Sequence, residues 1–276
     1  MSLNNVSQTV NDSAWKWQKW QGLPYLTCEL LADWRHGFFT QQCYPRTPEA
    51  LMTILDEGAT THRVKQVHGK TVLTPQEIAT THHSASADAT FPDADGVITD
   101  SPNQGVWVAS ADCSPVLIGD RKTGRVAAIH AGWRGTALEI VGEAIAVFQA
   151  DGTNLADLRI AIGPAISGEV YQVSETVAVE VGMSILKEET KKRGDKEEIL
   201  KVLFNLENSP LLKDEQPGRV KLDVRRVNQI QLQQLGINEA QIAIAPYCTY
   251  QRSDYFFSYR HTKQKKVQWS GIVSNT

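Results

Sequence analysis

Four short apolar segments in close succession constrain this chain's fold more than any other feature. "GVITD" at 96–100, "GVWVASA" at 105–111, "PVLIGD" at 115–120 and "GRVAAIHA" at 124–131 are rich in Val, Ile and Ala and bounded by Gly, Pro and Asp. Runs of this length and composition read as buried strands. The turn "DRKTG" closes the last two into a hairpin. "GTALEIVGEAIAVFQADG" then predicts one amphipathic helix, with Leu138, Val141, Ile145 and Phe148 on a stripe and Gly152 at its end. "DLRIAIGPAI" predicts a further strand, stopped by Gly163-Pro164.

The flanks are less regular. "PYLTCELLADWRHGFFTQ" suggests two early strands around a turn, and "TPEALMTILDEGA" a helix with Thr47 before it and Pro48 in its first turn. "HRVKQVHGKTVLT" suggests two short β segments around His68-Gly69, and "THHSASADATFPDADG" a loop. Towards the C-terminus, "SETVAVEVGMSILKEE" and "DVRRVNQIQLQQLGI" predict helices, "LKEETKKRGDKEEILK" a solvated helix or excursion, and "NLENSPLLKDEQPGR" a polar loop. The chain has 276 residues with no internal repeat and no Pro/Ser-rich linker, so one α+β domain over 1–276 is expected, with a polar N-terminal arm at about 1–22 whose Trp15, Trp17 and Trp20 pack it down.

Composition excludes several roles. A formal net charge of -3 leaves no basic footprint for a phosphate backbone, so no nucleic-acid partner is expected. No apolar run approaches the roughly 18–20 residues that cross a bilayer, and the start lacks the pattern of a secretory signal. A cytoplasmic protein without a membrane partner is therefore expected. Its four cysteines, Cys28, Cys43, Cys113 and Cys248, show no CxxC spacing, which points away from zinc ribbons and disulfide frameworks.

Chemistry concentrates at strand ends. His68 in "QVHGK" and His130 in "IHAGW" each end an apolar segment beside a glycine, and Cys113 lies between strands in "SADCSPVLIGD". Strand ends deliver side chains from a rigid scaffold to a pocket. Two imidazoles and one thiolate suit zinc, and three protein ligands would leave a fourth position open for catalysis. Without metal, Cys113 would be a nucleophile activated by His130. Spacing alone does not choose between these readings, nor against a buried thiol and two structural imidazoles. Arg134, in "AGWRGT", offers a forked donor for phosphate or carboxylate where Gly135 and its neighbours open the helix, the alternative being a surface ion pair. Asp112 is placed to orient a ligand histidine, Asp95 reads as a turn residue, Arg260 at the end of the aromatic "DYFFSYR" is a candidate to face the pocket and bind substrate or phosphate, and His82-His83 is a weak surface metal signal.

The ordered motifs "KQVHG", "DADGVITD", "ADCSPVLIGD", "AAIHAGWRGTA", "IGPAI" with "YQV", and "YCTY" with "FFSYR" resemble the YfiH-like laccase-domain family from about Gly37 to Arg260. The family is labelled polyphenol oxidoreductase in some schemes and purine nucleoside phosphorylase in others. The resemblance implies packed mixed β-sheets flanked by helices, an αββα-like sandwich distantly similar to cysteine-dependent toxin deamidases. It implies one zinc on His68, Cys113 and His130. It further implies phosphorolysis of adenosine, inosine, guanosine or methylthioadenosine, with adenosine deamination as a companion activity. An amidase that removes misincorporated serine from a peptidoglycan precursor is the alternative. Copper-dependent polyphenol oxidation is the weakest implication, because the seven histidines include no His-x-His pair, although copper competes well at such ligands. The zinc-deaminase signature H-x-E with P-C-x-x-C is also absent.

Overall fold

The computed structural model describes residues 14–84 and 91–275. Two six-stranded sheets lie face to face. The first contains β1 (Trp15–Trp20), β2 (Leu23–Cys28), β3 (His36–Phe39), β4 (Thr60–His62), β7 (Gln104–Ser110) and β15 (Gln268–Val273), in the order β1-β2-β3-β15-β7-β4. The second contains β5 (Val72–Leu73), β6 (Gly96–Ile98), β8 (Ser114–Asp120), β9 (Val126–Ala131), β10 (Leu158–Ile162) and β14 (Ile242–Ile244), in the order β14-β10-β8-β9-β6-β5.

Strand composition follows from this layering. Leu117, Val126 and Ala128 point from the second sheet into the space between the sheets, where Leu26, Phe38, Val106, Val108 and Ile272 meet them from the first. Their neighbours Val116, Ile118, Ala127 and Ile129 point the other way, onto helix α4 (Ile140–Ala150) and Leu232 of α8 (Val224–Gln234). With both faces covered, the period-two alternation selects which layer a side chain joins and carries no polar signal. Helix α1 (Pro48–Leu55) covers the first sheet's outer face with Leu51, Met52 and Leu55 against Phe39, Trp107 and Val273. The order helix, sheet, sheet, helix is the expected αββα sandwich. Truncating Ile129, which is fully buried, to Ala would cost about 2–5 kcal/mol.

Several local expectations give way to tertiary structure. From Trp15 the polar opening is an edge strand, β1, paired antiparallel with β2. The loop expected from Thr81 begins inside helix α2 (Pro75–Ser84), which a reciprocal capping box opens: Glu77 accepts from the Thr74 amide at 2.7 Å, and Thr74 Oγ1 accepts from the Glu77 amide at 3.2 Å. The single helix expected after His130 is two, α3 (Trp133–Ala137) and α4, separated where Glu139 adopts a left-handed φ of 61°. Gln231 donates to the Thr136 carbonyl at 2.8 Å beside the break. Leu138, expected on the buried stripe, is therefore exposed.

A third sheet, β11 (Gln172–Ser174), β12 (Leu211–Lys213) and β13 (Arg219–Leu222), runs in the order β11-β13-β12. Strand β12 lies within the segment read as a polar loop and β13 begins at that segment's last residue, because Leu211 and Leu222 are paired in register and buried. It packs with helices α5 (Glu175–Met183) and α7 (Lys196–Phe204); the charged run supplies α6 (Glu188–Arg193) and α7, and α7 buries Ile199, Leu200 and Leu203. Among the described residues no helix is long and apolar enough to cross a membrane.

Candidate metal centre

Backbone hydrogen bonding assembles the site before any side chain reaches outward. In the β8–β9 ladder Pro115 lies opposite His130, so Cys113 at the entry of β8 and His130 near the exit of β9 fall at the same end of the sheet. His68 comes from the turn Val67-His68-Gly69, where His68 itself has a φ of 62°. That conformation is uncommon for a residue with a Cβ. It is held by Asp95, whose carboxylate accepts from the amides of Val67 at 3.2 Å, His68 at 2.9 Å and Gly69 at 2.6 Å.

Asp95 also accepts from Nδ1 of His130 at 2.8 Å. One fully buried carboxylate thus fixes both imidazoles: His68 through its backbone and His130 through its ring. The bond to Nδ1 leaves Nε2 of His130 for a metal. Candidate ligand atoms of His68, Cys113 and His130 all lie within 4.8 Å of one another, and the two rings meet edge to face at 4.9 Å between centroids. A side-chain carbon at Gly132 would lie 2.9 Å from the Cys113 sulfur and 3.3 Å from the His68 ring. Glycine is therefore needed after the β9 strand to leave space for the trio.

Electrostatics match a metal-ligating cluster. Burial alone would push the Cys113 thiol upward, but the positive charge and hydrogen bonds of His130, followed by those of His68, bring it down to about 6. Burial opposes charge on His130 as well; the Cys113 thiolate and Asp95 outweigh it and raise the imidazole to about 9. Asp95 is opposed by burial and held below the usual carboxylate range by His130 and the turn amides. Two nitrogens, one thiolate sulfur and a carboxylate behind a ligand histidine form a donor set suited to zinc with an open fourth position.

Other predicted site residues have different surroundings. Asp112, with a φ of 90°, does not orient a histidine; Asp95 does that. The Asp112 carboxylate accepts from the Thr249 hydroxyl at 2.7 Å and the Arg260 amide at 2.6 Å, tying the approach to Cys113 to the C-terminal segment. Arg260 is half-buried, stacks over Tyr171 at 4.6 Å and donates to the Gln172 carbonyl at 2.8 Å. Arg134 is exposed and lies over the Trp133 ring at 4.5 Å; among the described residues no carboxylate pairs with it. Gly135 is buried, and a Cβ there would approach the Gly69 carbonyl to 2.9 Å, so glycine lets α3 pack closely on the His68 turn. Side chains of His82 and His83 lie outside the described residues.

Tyr171 was not singled out by its sequence, although it heads the "YQV" motif. Its hydroxyl is pushed up to about 12 by burial and by the Cys113 charge, against the opposing pull of Arg260 and Arg134. It lines a small cavity with Asp112, Cys113 and Trp133. Cys113 also belongs to a larger cavity of about 390 Å³, shared with His68, His130, Val64, Tyr259 and Trp269.

A family model described as multi-copper polyphenol oxidoreductase laccase matches residues 48–274. The chain belongs to this family. It is 54% identical over 266 residues to a protein of Synechocystis sp. named purine nucleoside phosphorylase, covering 96% of this chain and 99% of that relative. It is 34% identical over 181 residues to a Bacteroides thetaiotaomicron protein of the same name, covering 65% of this chain and 60% of the relative. The crystal structure of YlmD from Geobacillus stearothermophilus superposes with a TM-score of 0.75 at 23% identity, covering 94% of this chain and 99% of that one. YfiH from Bacillus licheniformis gives 0.73 at 24%, covering 91% and 96%. These two share the fold. The "multi-copper" of the family description has no counterpart in ligand number: among the described residues His68, Cys113 and His130 form the one group of three suited to a metal.

Proposed function

We propose that this protein is a zinc-dependent purine nucleoside phosphorylase acting on adenosine, inosine, guanosine and methylthioadenosine, with adenosine deamination as a companion activity. The observation that carries the reading is the convergence of His68, Cys113 and His130 on a cavity whose lining includes Lys265 and Lys266 and no carboxylate. The names of the relatives support the same reaction class.

In this reading His68, Cys113 and His130 hold the ion, and zinc bound there would supply Lewis acidity and an activated water. Val64, Tyr259 and Trp269 offer the nucleoside an apolar wall that excludes water from the base. Arg134 and Arg260 provide guanidinium charge on the Tyr171 side of Cys113, the sign an attacking phosphate requires. The five-residue α3 contributes little dipole, so these side chains carry the anion. A phosphate oxygen forms a bond to C1 of the ribose as the bond from C1 to the base nitrogen breaks, and the electron pair leaves with the base, which takes up a proton. Preorganised charge near the attacking anion lowers the barrier without later rearrangement.

Chromatography of products from zinc-loaded protein and adenosine, with and without phosphate, tests the reading. Adenine and ribose 1-phosphate formed only with phosphate, and lost in Cys113→Ala, are expected. Inosine alone would reduce the activity to deamination.

A second reading is favoured by the hydrogen-bonded order Asp95, His130 with Cys113 adjacent, the arrangement of a cysteine nucleophile with an oriented base. It describes an amidase, for which the serine-bearing peptidoglycan precursor is the candidate substrate. Amide hydrolysis that survives chelation and stops on alkylation of Cys113 would establish it.

A further inference from the structure

One polar atom in the larger cavity has no role in the metal cluster or the anion site. Ser110 ends β7, is 3% exposed, and lines the cavity together with His68, Cys113 and His130. Its Oγ has no hydrogen-bond partner among the described residues. A buried hydroxyl left unpaired costs about 1–3 kcal/mol, so its retention calls for a physical account.

Neighbouring amides do not relieve it. Gln66 is closed on the Ala109 backbone, donating to the carbonyl at 2.8 Å and accepting from the amide at 2.7 Å. Gln268, directly across the ladder from Ser110, is engaged by Phe257, accepting from its amide at 2.7 Å and donating to its carbonyl at 3.3 Å. Both glutamines fix the backbone around Ser110 while leaving its hydroxyl unmatched. The Oγ atoms of Ser114 and Ser167 are likewise unpaired, but Ser110 is the one that lines the cavity holding the trio.

We propose that Ser110 is a substrate-binding residue whose hydroxyl pairs with a polar atom on the edge of the purine base. The inference rests on the phosphorylase reading and adds the means of base recognition. Around Ser110 the cavity offers Val64, Ala109, Ala111 and the rings of Tyr259 and Trp269, surfaces suited to a flat ring, with Gln264, Lys265 and Lys266 also in its lining; Ser110 Oγ is the buried polar atom of that lining left without a partner. A hydroxyl both donates and accepts. It can therefore pair with the 6-amino group of adenosine or the 6-oxo group of inosine by rotating its proton, giving breadth across purines where a carboxylate or an ammonium would select one.

Steady-state kinetics on zinc-loaded wild type, Ser110→Ala and Ser110→Thr, with adenosine and inosine in saturating phosphate, test this beside thermal melts of the same samples. In Ser110→Ala we expect KM to rise about tenfold for both nucleosides with kcat nearly unchanged, the pattern of lost ground-state binding, and Tm equal to or above wild type, because an unpaired buried hydroxyl has been removed. Ser110→Thr keeps the hydroxyl and should keep KM near wild type. An unchanged KM in Ser110→Ala overturns the assignment, as does a lowered Tm, which would mark a structural serine. A threonine variant that melts normally yet binds like the alanine variant overturns it too. Wild-type protein inert towards both nucleosides would bring down the phosphorylase reading, and this inference with it; normal wild-type turnover with an unaffected alanine variant brings down the Ser110 assignment alone.

Discussion

Among the described residues two cysteine–histidine neighbourhoods share residue types and differ in chemistry. In the first sheet, Cys28 donates its amide to Nε2 of His36 at 2.8 Å, while Nδ1 of His36 donates to the Trp34 carbonyl at 2.9 Å. Burial lowers the His36 pKa and raises the Cys28 thiol to about 12. Both residues are neutral. In the second sheet, His130 has a carboxylate on Nδ1 in place of a carbonyl and a thiol at its other nitrogen, and the same burial accompanies a thiol near 6 and an imidazole near 9. A cavity of about 430 Å³ lined by Cys28 and His36 is somewhat larger than the one at Cys113. Size thus ranks the two regions wrongly; the atom behind the histidine separates a structural pair from a reactive one.

Substitution at the two cysteines gives the widest separation. Cys113→Ala should lower zinc affinity by more than about 100-fold, beyond the 10–100-fold typical of losing an outer partner, whereas Cys28→Ala should leave it unchanged; competition with a chromophoric chelator measures both. Equal loss in the two variants would break the comparison. Asp95→Asn comes next, with an expected drop of about 10–100-fold in zinc affinity, since it removes charge behind His130 and an acceptor for the His68 turn.

Thiol reactivity sharpens the contrast in metal-free protein. The depressed pKa of Cys113 means that thiolate dominates above about pH 6, so its alkylation by iodoacetamide should reach a plateau just above that pH. Cys28, with its thiol near 12, should remain unreacted while the chain is folded, as peptide mapping after labelling would show.

The smallest effect concerns His36. Its folded pKa lies below the unfolded value, so the unfolded chain takes up the extra proton as pH falls below about 6.5, and stability contributed above that pH is progressively lost. Urea titrations from pH 7 to 5 should show His36→Gln with a shallower decline than wild type, by at most about 1.4 kcal/mol per pH unit. An unchanged slope would mean that His36 is not kept neutral.

How legible these features were depends on where their causes lie. The middle strands and the β8–β9 hairpin could be read because strands covered on both faces must be apolar throughout, and Cys113 and His130 because each borders such a run, whereas His68 stands in a turn between β4 and β5. Asp95 could not be identified as the organiser: three of its four partners at the site are backbone amides in a distant turn, and an amide has no letter in a sequence. Asp112 competes for the organiser's role in the sequence only through its adjacency to Cys113. The break at Glu139 was hidden because Leu138 fits the helical stripe; contacts such as that of Gln231 with Thr136 belong to tertiary structure. The capping box that opens α2 is written plainly as "TPQE", whereas the third sheet's strands of three or four residues are too short to show a period.

The clamp of Val67, His68 and Gly69 amides on Asp95 also bears on how the proposed metal site would be loaded. Three successive amides ordinarily form a receptor for a foreign anion; here the chain supplies its own occupant. The loop-ordering entropy is therefore spent during folding, and loading requires little further rearrangement. With a metal in the proposed site, ion exchange would proceed on a finished scaffold, and chelation would leave the surrounding sandwich intact.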